Sequence, residues 1–564
     1  MATLLHPAHD ALAATDVDLA ACFGPLSCER EDVPLAVDGA LPSWLGGSLY
    51  RNGPARFDLA QQQLAHWFDG LGMLHRFAFA DGAVRYTNRF VRSEAYHAAA
   101  RTGKLAYREF ASDPCASLFG RVRALFTTGP SDNASVNVAM LGDDVVALTE
   151  GALPIAFDRG TLRTIGAVEF HDRRTMRREL TTAHPHSEPG DTPALLNFFT
   201  RLGARCSYEV FRLGPRTRVR EVVARIPVRE PGYMHSFGVT DRWIVLAEFP
   251  FLVQPARLAL SGKPFIRNFR WLPERGTRFI LVDRTGRRAP RVLQGPPCFA
   301  FHHVNAYDEG DDVVVDLVAY DDPSIIDALY LDRLRRGAPD FPAGTWRRFR
   351  LRDVTAARGA TVHEERRIDV AVELPRLDYE RVNARPYRWC YATAAPRAGD
   401  FLTAIAKLDT EDGSAALWHE PGRTTACCCR WCSTRSRDAR SCSCSTRATC
   451  ASWRVPRRRT RSRRASTGRI SASVAFHSRH DARTHARPRV RQRDHRDRRD
   501  AARQHGGRRR VPSRRAASGH ASRRARGGYV ACIRRIRMCP MSFHTAASRA
   551  HQVRALCQLF VDED

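Results

Sequence analysis

No stretch of about 18 uninterrupted apolar residues occurs in the 564 residues, which excludes a membrane-spanning helix of ordinary length. The opening MATLLHPAHDALAATDVDL lacks the basic segment and apolar run of a secretory leader. No short internal repeat of the WD type is present. The six cysteines before residue 424 (Cys22, Cys28, Cys115, Cys206, Cys298, Cys390) are scattered without paired spacing, so no disulfide framework is written there. These absences point to a cytoplasmic, reducing environment.

Lysine is missing altogether from residues 424–564, and acids nearly so. That segment holds 36 of the 90 basic residues, all arginine, and 8 of the 60 acidic ones, so it carries +28 of the net +30. Residues 1–423 carry only +2. Strong basicity usually signals a nucleic-acid partner. Here it belongs to one segment, so no specific nucleic-acid partner is expected and any binding by the arginine tail is incidental.

From about residue 40 to 420 the chain is a succession of short β-rich runs broken by Gly, Pro, Asp and Asn. GAVRYTNRFV, NVAMLGDDVVALTE, RWIVLAEFP, TRFILVDRTG and DDVVVDLVAYDD are examples. Many strands at close spacing imply an all-β sandwich, barrel or propeller. One stretch differs. In DPCASLFGRVRALFTTG (113–129), Leu118, Phe119, Val122, Leu125 and Phe126 recur at helical spacing, as in an amphipathic helix facing a core.

Three histidine motifs stand out: TTAHPHSEPG with His184, PGYMHSFGVTD with His235, and CFAFHHVNAYDE with His302 and His303. A lone histidine is more often structural than a ligand. In order and in flanking residues, however, these three resemble the carotenoid cleavage oxygenase family. The resemblance begins at LPSWLGGSLYRNGPARF (41–57), continues through HWFDGLGMLHRFAF (66–79) and runs to KLDTEDGSAALWHEPG (407–422). It implies a seven-bladed β-propeller with a helical cap, and an iron(II) held on the axis by four histidines. The carry-over gives His184, His235 and His302 as ligands. Neighbouring side chains of a strand point to opposite faces, so only one of His302 and His303 can face the axis; relatives favour His302. His186 shares the parity of His184, but relatives lack a histidine there. Imidazole ligands need their second nitrogen fixed by an acceptor. Glu150 in ALTEGAL and Glu373 in VELPRLD match two of the family's three glutamates in that role. The resemblance also makes residues 114–128 a membrane-contacting segment beside a tunnel mouth, hence peripheral membrane association.

The family's fourth histidine lies in a GFHG motif and its third glutamate in a GEPVFVP-like motif, and neither occurs in this sequence. In their place stands ACCCRWCSTRSRDARSCSCSTRATC (426–450), which has cysteine and arginine but no Lys, Glu, Val, Ile or Leu. A zinc or disulfide site is one reading of the cysteines; translation of GC-rich DNA in the wrong register is the other. CCCRWCSTR can be encoded by TGC TGC TGT CGG TGG TGC TCG ACG CGC, and one base earlier those bases read VLLSVVLDA. In the same register SCSCSTRATCASW gives FLLVLDARDLREL, and RTRSRRASTG permits HAFPPGFHG, with the histidine codon straddling Ser466 and Thr467. The break falls between HEPGR and Thr424.

The sequence thus predicts a truncated propeller over 1–423 with incomplete closing blades, then a frameshifted, disordered Arg/Cys-rich segment over 424–564. The function implied is Fe(2+)-dependent cleavage of a conjugated double bond in a carotenoid or apocarotenoid by O2, impaired in this chain. An inactive binder of apolar polyenes and a retinoid-type isomerase are the alternatives. Stilbene cleavage is disfavoured: it uses a Tyr and Lys pair, and no lysine lies between Lys104 and Lys263.

Overall fold

The run DVVVDLVAY, strand Asp312–Tyr320, is apolar at almost every position, and the fold shows why. Side chains alternate between the two faces of a strand. Val313, Val315, Leu317 and Ala319 pack with Val245, Phe279 and Leu281 of the sheet before it. Val314 and Val318 pack with Cys390, Ala392, Ala406 and Leu408 of the sheet after it. A sheet covered on both faces loses the polar alternation of a half-exposed one.

The computed structural model describes residues 19–418, apart from positions 25, 27, 38, 39, 114–130, 152, 173–178, 190–193, 338, 339 and 357, together with the strand Arg537–Met538. The chain divides into two compact units, residues 1–443 with 537–564 and residues 444–536; the second lies outside the described residues. So do Leu118, Phe119, Val122, Leu125 and Phe126, and all of residues 424–564 but that strand.

Among the described residues the first unit is an all-β propeller with six blades, each an antiparallel sheet built largely of consecutive strands. The first pairs Gly47–Arg56, Leu71–Ala80, Ala83–Phe90 and Arg30–Val37 in that order. The second runs from Asn137–Leu141 to Thr164–Ala167, and the third from Glu179–Thr181 to Glu221–Val228. The fourth spans Gly238–Val239 to Arg291–Gly295, the fifth Phe299–Glu309 to Thr361–Ile368, and the sixth Val372–Arg376 to Ala415–Trp418. Arg537–Met538 adds to the first sheet by parallel pairing with Ala36 and Val37. The described helices are short; the longest, Glu94–Thr102, starts on a Ser93 cap and ends on Gly103 in the left-handed conformation.

Five apolar seams join the six blades in sequence order. Leu74 packs with Val145, Ala147 and Phe157 between the first and second, and Val146 and Leu148 with Leu195 and Leu213 between the second and third. Phe198, Tyr208 and Val210 meet Phe237, Ile244 and Leu246 between the third and fourth. The remaining two seams are those that flank Asp312–Tyr320. Each fully buried aliphatic or aromatic side chain in such a seam contributes about 1.5–3 kcal/mol. Gly72 shows how close the first two blades come: a Cβ there would stand 2.4 Å from the Ala134 carbonyl oxygen.

His66 ties the first blade to the segment after the fifth blade's second strand. Its Nδ1 accepts the Phe68 amide (3.1 Å), so Nε2 carries the proton and donates to the Ile326 carbonyl (2.9 Å). Burial pushes this imidazole down from its ordinary 6.5 to about 3. A group depressed in the folded state contributes stability that is full above about pH 6.5 and is lost as pH falls toward about 3. Urea unfolding followed across that window is expected to show a falling midpoint. The non-titrating His66→Gln variant should start lower at pH 7 and fall less steeply, and equal slopes would dismiss His66 as a source of the acid sensitivity.

Candidate metal centre

Five consecutive blades each contribute one side chain to the site: three histidines converge, and two glutamates stand behind them. His184 lies where the edge strand of the third blade is interrupted, between Glu179–Thr181 and His186–Ser187. His235 immediately precedes the edge strand Gly238–Val239 of the fourth blade. His302 sits in Phe299–Glu309 of the fifth, where the register shifts between Ala300 and His303. Glu150 follows the strand Asp144–Leu148 of the second blade, and its carbonyl accepts the Thr181 amide at 2.9 Å. Glu373 stands in Val372–Arg376 of the sixth, beside another register shift. Bulges of this kind re-aim side chains out of a regular pleat. Leu374, next to Glu373, takes a φ of 55°, a left-handed backbone rare for a side chain of its size. That turn points its amide at the Glu373 carboxylate, 2.6 Å from Oε2.

One ring nitrogen from each of His184, His235 and His302 lies within 4.8 Å of the others. His184 Nε2 and His235 Nε2 are 2.9 Å apart. Two nitrogens at right angles on a metal, each about 2.1 Å from it, would be about 3.0 Å apart. The rings meet edge to face, at 61°, 90° and 85°, with centroids 4.7–5.1 Å apart, so they converge rather than stack.

The far side of two rings is held by carboxylates. His235 Nδ1 lies 2.6 Å from Glu150 Oε1, and His302 Nδ1 lies 2.6 Å from Glu373 Oε2. An acceptor at Nδ1 keeps the proton there and leaves the Nε2 lone pair free for a metal. Burial opposes ionisation of Glu373, but His302, the Leu374 amide and the Tyr320 hydroxyl more than offset it and hold its carboxyl below the ordinary value. The His184 amide donates to Thr182 Oγ1 (3.1 Å), and the Thr182 hydroxyl donates to the His235 carbonyl. This donor set fits a divalent transition metal: three imidazoles and no carboxylate within the cluster.

The neighbouring histidines are placed elsewhere. His303 Nδ1 faces Ser236 Oγ at 2.9 Å, and burial pushes its imidazole down to about 3. His186 lies between the Tyr379 hydroxyl (2.8 Å) and the Phe237 carbonyl (3.0 Å). Four participants were not expected from the sequence: Tyr233, Tyr320, Thr182 and Leu374. Tyr233 could have been suspected, since it lies two residues before His235 in PGYMHSFGVTD. Nothing in the strand DVVVDLVAY marks Tyr320.

The model of the retinal pigment epithelial membrane protein family (RPE65) matches residues 23–433. The chain belongs to this family, the carotenoid cleavage oxygenases. It is 31% identical to a carotenoid isomerooxygenase of Galleria mellonella, over 70% of this chain and 80% of that one. Identity to the beta,beta-carotene 15,15'-dioxygenase of Gallus gallus is 30%, over 69% and 83%. The chloroplastic carotenoid cleavage dioxygenase 8 homolog A of Oryza sativa subsp. japonica is 33% identical, over 70% and 74%. Among solved structures, the cobalt-substituted apocarotenoid oxygenase of Synechocystis superposes with a TM-score of 0.62 at 25% identity, over 71% of this chain and 83% of that one. Among the described residues of this carotenoid cleavage oxygenase family member, no helix is long and apolar enough to cross a membrane.

If Glu373 holds His302 by its charge, Glu373→Gln keeps the shape and an accepting oxygen but weakens the grip. Metal affinity, measured by competition with a chelator, should fall about 10–100-fold, with the circular dichroism spectrum unchanged. An unchanged affinity would show that the carboxylate charge is irrelevant to the site.

Proposed function

We propose that the chain descends from an iron(II)-dependent oxygenase that cleaves a conjugated carbon–carbon double bond of a carotenoid or apocarotenoid with O2, and that this activity is impaired in the chain as written. The carrying observation is the convergence of His184, His235 and His302, two of them backed by carboxylates. The relatives named as dioxygenases and an isomerooxygenase support the reaction class.

His184, His235 and His302 would hold the iron through Nε2. Bound there, iron(II) would supply a Lewis-acidic, redox-active centre with positions open to O2. The protein's own part is positional. Glu150 and Glu373 keep protons on the Nδ1 atoms of His235 and His302. Phe301 packs on His235 (5.7 Å between centroids) and on Phe68 (5.7 Å), which in turn meets Phe110 (5.2 Å). These rings exclude water beside the cluster and suit an apolar, conjugated chain. In the overall reaction one double bond becomes two carbonyl groups and both oxygen atoms of O2 are used, so no separate reductant is required.

The remaining parts of the reading concern the end of the chain. A seven-bladed propeller with a helical cap, begun over residues 1–423, would be completed in the intact relative by closing strands and a fourth histidine from the register that reads VLLSVVLDA, FLLVLDARDLREL and GFHG. Residues 424–564 as written would then be a frameshift product. Leu118, Phe119, Val122, Leu125 and Phe126 would meet a membrane surface from which the polyene enters. The lack of a GFHG motif in the written sequence favours one second reading, an apolar polyene binder without turnover.

The test compares the chain as written with the frame-corrected one for solubility, iron per chain, O2 uptake and polyene bleaching. The corrected chain is expected to hold about one iron and cleave with O2 uptake, and the written one to hold iron weakly and cleave little. Iron without O2 uptake in the corrected chain would point to an isomerase. Equal iron content and cleavage in both would end the frameshift reading.

A further inference from the structure

Two tyrosines stand behind the two carboxylates. Tyr233 Oη donates to Glu150 Oε1 at 2.7 Å, and Tyr320 Oη donates to Glu373 Oε1 at 3.2 Å. They reach these positions from different places. Tyr233 lies in the connection entering the fourth blade, whereas Tyr320 ends the second strand of the fifth and pairs with Phe299. Both rings are buried, and both lean on the same two phenylalanines: Phe299 and Phe301 lie 6.3 and 6.5 Å from Tyr233 and 6.4 and 6.3 Å from Tyr320. Gly344 makes room for the second ring, since a Cβ there would stand 2.7 Å from Tyr320 Cζ and 2.9 Å from its Oη.

We propose that Tyr233 and Tyr320 are positioning residues of the metal centre: their hydroxyls fix the carboxylates of Glu150 and Glu373, which in turn aim His235 and His302. The inference rests on the three-histidine reading of the site. The two tyrosines are not equivalent. Glu150 Oε1 receives the His235 ring and the Tyr233 hydroxyl on one atom, so Tyr233 is the donor that shares the working oxygen. Glu373 Oε2 receives the His302 ring and the Leu374 amide, and Tyr320 holds only the other oxygen, at longer range. Loss of the Tyr233 hydroxyl should therefore loosen the centre more than loss of the Tyr320 hydroxyl. The fold contains its own control away from the site: Tyr387 Oη donates to Asp316 Oδ2 at 2.7 Å, a buried tyrosine–carboxylate pair in which Asp316 holds Arg348.

The experiment titrates cobalt(II) into the parent chain and into Tyr233→Phe, Tyr320→Phe and Tyr387→Phe, reading affinity and the position of the cobalt ligand-field bands, with urea stability alongside. Tyr233→Phe is expected to weaken cobalt binding about tenfold and to move the bands. Tyr320→Phe should weaken it less, and Tyr387→Phe should lower stability while leaving affinity and bands as in the parent. A parent-like Tyr233→Phe, or a Tyr387→Phe that loses as much, overturns the inference while the metal centre stands. A parent chain that binds no cobalt overturns the metal centre and the inference with it. Should Tyr233→Phe not fold, Gly344→Ala, which drives a methyl into the Tyr320 ring, reads the other carboxylate: weaker binding with shifted bands supports the proposal, and parent-like binding overturns it.

Discussion

An imidazole serves a metal through one nitrogen only while its other nitrogen is held, and that requirement organises the centre of this molecule. A free histidine side chain rotates about two bonds and exchanges its proton between two sites. A carboxylate 2.6 Å from Nδ1 removes both freedoms for His235 and for His302. The cost is a buried or half-buried negative charge, which an apolar interior does not tolerate unless donors surround it. Glu373 has three, from His302, Leu374 and Tyr320, and the left-handed backbone at Leu374 exists to supply one of them. Backbone strain of this sort, about 1–3 kcal/mol, is offset by the seams on either side of the fifth blade.

Those seams are also what brings the five groups together. A blade whose both faces are apolar must stack on its neighbours, and stacked blades turn their edge strands toward one another. Glu150, His184, His235, His302 and Glu373 are separated by 34 to 71 residues each, yet every one sits in or beside a strand of its own blade. Polar groups inside a seam then define how it fits. Asp316, on the face of Asp312–Tyr320 that meets the sixth blade, accepts both Arg348 nitrogens (2.9 and 2.8 Å) and the Tyr387 hydroxyl (2.7 Å). Burial alone would raise this carboxyl, and Arg348 opposes the rise only in part. Asp316 and Arg348 are cross-strand partners within the fifth blade, and the Tyr387 hydroxyl, just before the sixth blade's strand Trp389–Ala394, is the bond that ties this buried pair to the next sheet; another alignment of the two blades would forfeit it.

The strands were legible because turn residues punctuate them, but the blades were not, since periodicity within a strand says nothing about which sheet it joins. Sandwich, barrel and propeller all read alike until the family motifs are recognised. His184, His235 and His302 were legible for the same reason: their flanking residues identify them, whereas the histidine type alone does not separate them from His186 or His303. Strand parity allowed only one of His302 and His303 to face the axis and the resemblance chose His302; in the structure His302 turns to the cluster and His303 to Ser236. Tyr320 was invisible because its role depends on a partner 53 residues later and on a cross-strand position. The bulges that aim His302 and Glu373 were invisible too, because they arise from pairing with other strands.

The sixth blade carries the physical argument about the end of the chain. One face of its sheet, with Cys390, Ala392, Ala394, Ala404, Ala406 and Leu408, is covered by the fifth blade. On the strands of the same sheet Trp389 and Trp418 remain 39% and 37% exposed, and the Lys407 ammonium lies 3.5 Å above the Trp389 ring. Large aromatics are poor choices for a surface that ends in water, and good ones for a seam with a further layer. Every other blade from the second to the fifth has both faces covered by neighbours, so the residue types on this sheet match an interior blade rather than a terminal one. The last described strand of the sheet ends at Trp418, five residues before Arg423, where the register change would fall. Residues 1–418 therefore carry the surface chemistry of a ring selected to continue, while the residues from 424 lack the alternating β-branched and apolar pattern that such a layer needs. The proposed shift of register just after Arg423 would account for a sheet with an apolar, aromatic outer face being followed by a sequence that lacks the strand pattern of the blades before it.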